Sequence, residues 1–181
     1  MTGKRFLTYS GESNAKEVTL EMGGKNPAIV MDDADLRQAV LECGRASFNT
    51  TGQRCTCTRR ILVHEKIADR FLDALVKIGS GLSIGAPDAD PPVFMGPLIR
   101  DDARQAALQF ADDLSRAGGD VLLAPKALND VPNGEGGHFI SPGVIRVDRF
   151  TKSDAGPGRD AGCDIEIFGP VVRFTTAFKI T

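Results

Sequence analysis

A chain of 181 residues is long enough for one domain with a sizeable core. Its 41% hydrophobic and 25% charged residues are ordinary for a globular protein, and a formal net charge of −2 gives no reason to expect nucleic acid or a membrane surface as partner. No apolar run approaches the ~20 residues that span a bilayer, and the opening MTGKRFLTYSGES has no apolar secretory core.

EVTLEM, Glu17 to Met22, is rich in β-formers and reads as a strand stopped by Gly23 and Gly24. PAIVM, Pro27 to Met31, is a short continuous apolar run that suits a buried strand. Asp32 and Asp33 are acceptors suited to capping a helix start. Leu36, Ala39, Val40, Cys43 and Ser47 share one helical face, which predicts a helix from about Ala34 to Asn49, ended by Thr51 and Gly52. RRILVH, Arg59 to His64, is the next strand. The helix after it places Ile67, Phe71, Leu75 and Ile78 on one side. A Pro-rich extended loop leads to a helix from about Asp101 to Ala117, stopped by Gly118 and Gly119. DVLLA reads as a strand, and HFISPGVIRV as another with a Pro-Gly break. NDVPNGEGG and TKSDAGPGRDAG are loops by composition, and EIFGPVVRFTTAF closes the chain as a strand. Strands alternating with helices predict an α/β domain around a largely parallel sheet. The abrupt ends lead to the expectation of a piece of a longer chain.

FNTTGQRCTCTRR, Phe48 to Arg60, carries the sharpest chemical signal. The four cysteines at irregular spacing do not form a disulfide framework, so reduced thiols in a cytoplasmic setting are expected. A lone CxC with only two histidines in the chain lacks the ligand spacing of a metal site. Cys55 and Cys57 are too close for an unstrained disulfide. Cys43, Cys57 and Cys163 read best as small buried hydrophobes. Cys55 follows a glycine turn that can expose a thiol and its amide, and Arg54 favours the thiolate. Local features alone leave Cys55 open between nucleophile and structural residue. Arg54, Arg59 and Arg60 could pair with substrate carboxylates, and solvated flanking charges are an equal reading for Arg59 and Arg60.

Three stretches together resemble the aldehyde dehydrogenase superfamily: VTLEMGGKNPAIV its Glu-x-Gly-Gly-Lys segment, FNTTGQRCT its Gly-Gln-x-Cys segment, and EIFGPVV its Glu-x-Phe-Gly-Pro segment. The resemblance runs from about Asn14 to Phe178. It implies an aldehyde-dehydrogenase-like catalytic domain over residues 1–181, with Cys55 as nucleophile and Glu21 as general base. It implies that Glu166 holds the nicotinamide ribose, that Phe168 packs near the nicotinamide, and that the turn at Gly23 serves the cofactor side. Within the superfamily the first two stretches look most like the members that oxidise succinylglutamate semialdehyde in arginine catabolism, with other semialdehyde and broad-range members as alternatives. The implied cofactor is NAD or NADP and the implied partner a small aldehyde, in a homo-oligomeric parent.

Members also carry a Rossmann-like nucleotide-binding part, an asparagine that helps hold the oxyanion, and a later oligomerisation strand. None of these is recognisable in the sequence, so the expectation is a catalytic domain that does not bind the dinucleotide by itself. Cys55 and Glu21 are expected to face one cleft at the carboxyl edge of the sheet, where open α/β sheets place ligands, with Glu21 partly buried. The resemblance further implies a Cys55 thiohemiacetal whose negative oxygen is held by the Cys55 N–H, then a thioester hydrolysed by water activated by Glu21. Two other readings compete: a cysteine hydrolase using His64 or His138 as base, and a folded but inactive fragment or association module.

Overall fold

The computed structural model describes residues 2–12, 17–148 and 168–177. The predicted loop Thr151 to Gly162, together with Cys163 and Glu166, lies outside them.

The elements run α1 (Thr2–Glu12), β1 (Asn26–Val30), α2 (Leu36–Phe48), β2 (Thr58–His64), α3 (Ala68–Ser80), α4 (Asp101–Arg116), β3 (Asp120–Leu123), β4 (Ala127–Leu128), β5 (Phe139–Ile140), β6 (Gly143–Arg146) and β7 (Val171–Ala177). A five-stranded sheet has the order β1-β2-β7-β6-β3. Its pairs are parallel except β3–β6, which is antiparallel. The largely parallel α/β reading therefore holds.

Alternate strand residues serve two cores, as the period of two requires. Ile61, Val63, Val144, Val172 and Phe174 pack with Val40, Cys43 and Phe48 of α2 and Phe71, Leu72 and Leu75 of α3. Ile145 and Val171 turn the other way, toward Ala107, Ala111 and Leu114 of α4. The sheet thus lies between α2 and α3 on one face and α4 on the other. Each fully buried side chain of this size stabilises the fold by about 1.5–3 kcal/mol before entropy is counted.

Local expectations are corrected at three points, and a fourth element, at the start of the chain, lies where no expectation was made. EVTLEM forms no strand: residues 17–25 carry no regular structure. Asp35, not Asp32 or Asp33, caps α2, its carboxylate accepting from Gln38 N at 2.8 Å. β1 is an edge strand with Ile29 exposed, so its apolar run is buried on one face only. The opening segment is a helix, α1, whose Phe6, Leu7 and Tyr9 remain exposed.

Candidate active site

The segment between α2 and β2 folds as a left-handed turn. Thr50, Thr51 and Gly52 have φ of 52°, 56° and 66° in succession. β-Branched residues are outliers in this region, and each costs on the order of 1–3 kcal/mol unless its surroundings enforce it. Here they do. Thr51 Oγ1 donates to Gly96 O at 2.8 Å, and Gln53 Nε2 to Pro97 O at 3.2 Å. Gln53 Oε1 accepts from Ile99 N at 2.9 Å. The turn is laced to the 96–99 loop and presents Cys55 to solvent.

The peptides on both sides of Cys55 are also held. Asn26 Nδ2 donates to Cys55 O and, at 3.2 Å, to Cys57 O. The Arg54 carbonyl accepts from Cys57 N at 3.1 Å and from Arg59 Nη2 at 3.3 Å. The same Nη2 donates to Gly52 O at 2.6 Å. Arg59 is only 5% exposed, which overturns its reading as a solvated flank. Its physical reason is a break in strand register: Asn26 faces Thr58 and Pro27 faces Arg60, so the pairing skips Arg59. Pro27 has no N–H for the ladder, and the unpaired residue of such a bulge is re-aimed, here toward the cysteine turn. Arg60 is half-buried within β2, opposite Arg173.

The third motif meets the second backbone to backbone. A Cβ on Gly52 would stand 2.3 Å from Gly169 O, and one on Gly169 would stand 2.8 Å from Ala107 Cβ on α4. The approach needs glycine at position 52, and the seat of the third motif on α4 needs glycine at position 169. It sets Phe168, 40% exposed, beside the cysteine turn, with the Arg59 guanidinium 5.6 Å from its ring centroid. At that distance the cation is attracted by the ring face.

All of this gathers at the amino edge of the sheet. Cys55 precedes β2, Phe168 precedes β7, and Glu21 and Gly23 precede β1, three parallel neighbours. The expected carboxyl edge is therefore corrected to the amino edge. Glu21 and Gly23 are exposed, and the partial burial expected of Glu21 is absent because no described element covers residues 21–23. Glu166 lies outside the described residues. Arg54 is exposed next to Cys55.

The remaining described thiols differ from Cys55. Cys57 is 3% exposed, with Asn49 O 3.8 Å from its Sγ. Cys43 is 7% exposed on α2, and burial pushes its thiol up to about 11. His64 ends β2, roughly 20 Å from the cysteine turn at the usual rise per residue, and is fully buried. His138 stands 3.7 Å from Asp101. No group of His, Cys, Asp and Glu among the described residues could hold a metal ion.

Asn26, Gln53 and the aim of Arg59 were missed in the sequence. Pro27 was the available signal for Arg59, because a proline opposite a strand invites a register break.

The profile of the "Aldehyde dehydrogenase family" matches residues 1–180. This chain belongs to the aldehyde dehydrogenase family. The N-succinylglutamate 5-semialdehyde dehydrogenase of Chromobacterium violaceum is 37% identical over 166 residues, covering 91% of this chain and 31% of that protein. The enzyme of that name from Hahella chejuensis is 39% identical, covering 95% and 32% respectively. Among solved structures, a Bacillus cereus aldehyde dehydrogenase (E194S mutant) superposes with a TM-score of 0.81 at 30% identity, covering 99% of this chain and 33% of its own. Betaine aldehyde dehydrogenase from Staphylococcus aureus, in complex with NAD+, gives 0.79 at 30% identity, covering 97% and 33%. The chain spans about a third of the length of these aldehyde dehydrogenases. No described helix is long and apolar enough to cross a membrane.

Proposed function

We propose that this chain carries the nucleophile and the water-activating carboxylate of an NAD(P)-dependent aldehyde dehydrogenase, with succinylglutamate semialdehyde as substrate. The contact of Gly52 with Gly169 carries the reading, because it brings the exposed Cys55 and Phe168 to one edge of the sheet. The names of the curated relatives support the substrate, and NAD+ in the S. aureus structure supports the cofactor.

The Cys55 thiolate adds to the aldehyde carbon, forming a C–S bond and a negative oxygen. The Cys55 N–H would take that oxygen, a role supported by its having no acceptor among the described residues. An exposed aromatic face beside the thiol turn fits a nicotinamide ring, so Phe168 would pack against it, Gly23 would approach by its backbone and Glu166 would accept from the ribose hydroxyls. The dinucleotide, when bound, supplies the hydride acceptor that brings the carbon to the acyl level. Glu21 then takes a proton from water, hydroxide adds to the Cys55 thioester, and the C–S bond breaks to release the carboxylate. Cytoplasmic location and a homo-oligomeric parent belong to the same proposal. The hydrolase alternative gains nothing from His64, which lies at the far end of β2.

Brief labelling with limiting iodoacetamide at neutral pH, followed by mass mapping, tests the nucleophile: Cys55 is expected to react first. Preferential labelling of Cys57 or Cys163 would sink the assignment. Preincubation with succinylglutamate semialdehyde is expected to protect Cys55 better than betaine aldehyde does, and equal protection removes the substrate assignment.

A further inference from the structure

We infer that Arg59 is a positioning residue that aims the Cys55 N–H at the negative oxygen formed during attack; this rests on Cys55 being the nucleophile. A trans peptide is planar, so the carbonyl of residue 54 and the N–H of residue 55 point in opposite directions. Fixing one fixes the other. The Arg54 carbonyl is taken by Arg59 Nη2 at 3.3 Å and by Cys57 N at 3.1 Å. The Cys55 N–H is thereby turned away from Arg59. Among the described residues nothing accepts it, although both flanking carbonyls are held.

Three further observations show why Arg59 suits the task. The register of β1 and β2 skips it, so its side chain leaves the strand at the foot of the turn. Its guanidinium braces a second carbonyl two residues earlier, Gly52 O at 2.6 Å, which is inside the left-handed turn. Its outer face is seated under Phe168, 5.6 Å from the ring centroid. One planar cation thus ties the thiol turn to Phe168. Both carbonyls are taken by the one Nη2, whose two hydrogens are fixed in the guanidinium plane; a lysine could supply the charge, but its freely rotating ammonium does not fix those two directions.

The test compares two reagents on the full 181-residue chain. Iodoacetamide alkylates a thiolate by displacing iodide and forms no oxyanion. p-Nitrophenyl acetate acylates it through a tetrahedral oxyanion: the C–S bond forms, the ester C–O bond breaks, p-nitrophenolate leaves, and the thiol proton goes to solvent. Losing an oxyanion donor outright costs ~10²–10³ in rate, so Arg59→Lys, which misdirects the donor, is expected to slow Cys55 acylation by ~10-fold or more. Alkylation of Cys55 should change by less than about 2-fold, because that reaction makes no demand on the donor. Phe168→Leu, at a position exposed enough to tolerate it, is the second variant and should show the same asymmetry more weakly. A purely structural role for Arg59 moves both reactions together. Equal slowing of both, no slowing of acylation, or a wild-type Cys55 that is alkylated yet never acylated overturns the inference. Failure of both reagents to select Cys55 in the wild-type chain overturns the nucleophile assignment itself, which separates the two cases.

Discussion

The two ends of β2 are built on different principles. At its amino end, residues 49–57 are held by side chains and loops that are 29 to 46 residues away in sequence: Asn26, Gly96, Pro97 and Ile99. At its carboxyl end the closure is local, with His64 Nδ1 accepting from Lys66 N at 3.3 Å before α3 begins. One exposed ion pair, Lys66 to Asp32 at 2.9 Å, joins that turn to the one after β1. Open α/β sheets ordinarily bind ligands at the carboxyl edge. Here the turns after β1 and β2 run almost directly into helices, while the irregular residues 17–25 and the turn at 49–57 lead into those two strands. Room for chemistry follows the irregular segments. The strained left-handed turn sits at the same end, enforced by the contacts that present the thiol.

The largest expected effect is at the amino end, with Gly52→Ala. A non-glycine residue in the left-handed region costs about 1–2 kcal/mol, although Thr50 and Thr51 show that contacts can enforce it. Overpacking adds about 1–3 kcal/mol more, because the new Cβ meets the Gly169 backbone rather than a flexible side chain. Urea unfolding should show a midpoint well below wild type. A near-wild-type midpoint would mean the two motif loops separate freely and the amino end is not rigid.

Asn26→Ala should come next. It removes the donor to Cys55 O and Cys57 O, a loss of roughly 1–2 kcal/mol with one acceptor part-buried. The sharper readout is cysteine mapping: Cys57, 3% exposed in the wild type, should become reactive as the turn loosens. A variant that leaves Cys57 protected and the urea midpoint unchanged would show that the lacing to residues 96–99 suffices alone.

Much of the fold was legible because it is periodic. Phe71 and Leu75 announce the buried face of α3, with Ile67 just ahead of it, and the apolar runs announce β1 and β2. Cys55 and Phe168 were legible as motif residues, and their convergence followed from strand order. The edge on which they meet was not. It depends on whether the residues precede or follow each strand, and EVTLEM, misread as a strand from Glu17 to Met22, reversed that judgement by placing Glu21 near a strand end. Asn26 was hidden because its partners lie 29 and 31 residues on, beyond any local pattern. Arg59 was hidden because its burial follows from the skipped pairing around Pro27, which the residues of β2 do not show by themselves.

The smallest effect belongs to the carboxyl end, and it tests whether the two ends are independent. The hydrogen bond from Lys66 is the main cause that holds the Asp32 carboxyl below its ordinary value of 3.8. A depressed carboxylate contributes stability above its unfolded value, and that contribution is lost as pH falls through the folded one. Asp32 is therefore ionised and paired at neutral pH, and Lys66→Ala should lower the urea midpoint only slightly there, because exposed pairs contribute little. The gap between wild type and variant should close as the pH is taken below 3.8, and should also narrow in high salt. At any one pH and salt concentration Cys55 should be labelled equally fast in wild type and Lys66→Ala, since among the described residues no hydrogen bond or ion pair links Lys66 to residues 49–57. If Lys66→Ala alters the rate at which Cys55 is labelled, β2 transmits strain from one end to the other. The contrast between a locally closed end and a cross-laced end would then have to be replaced by a single coupled strand.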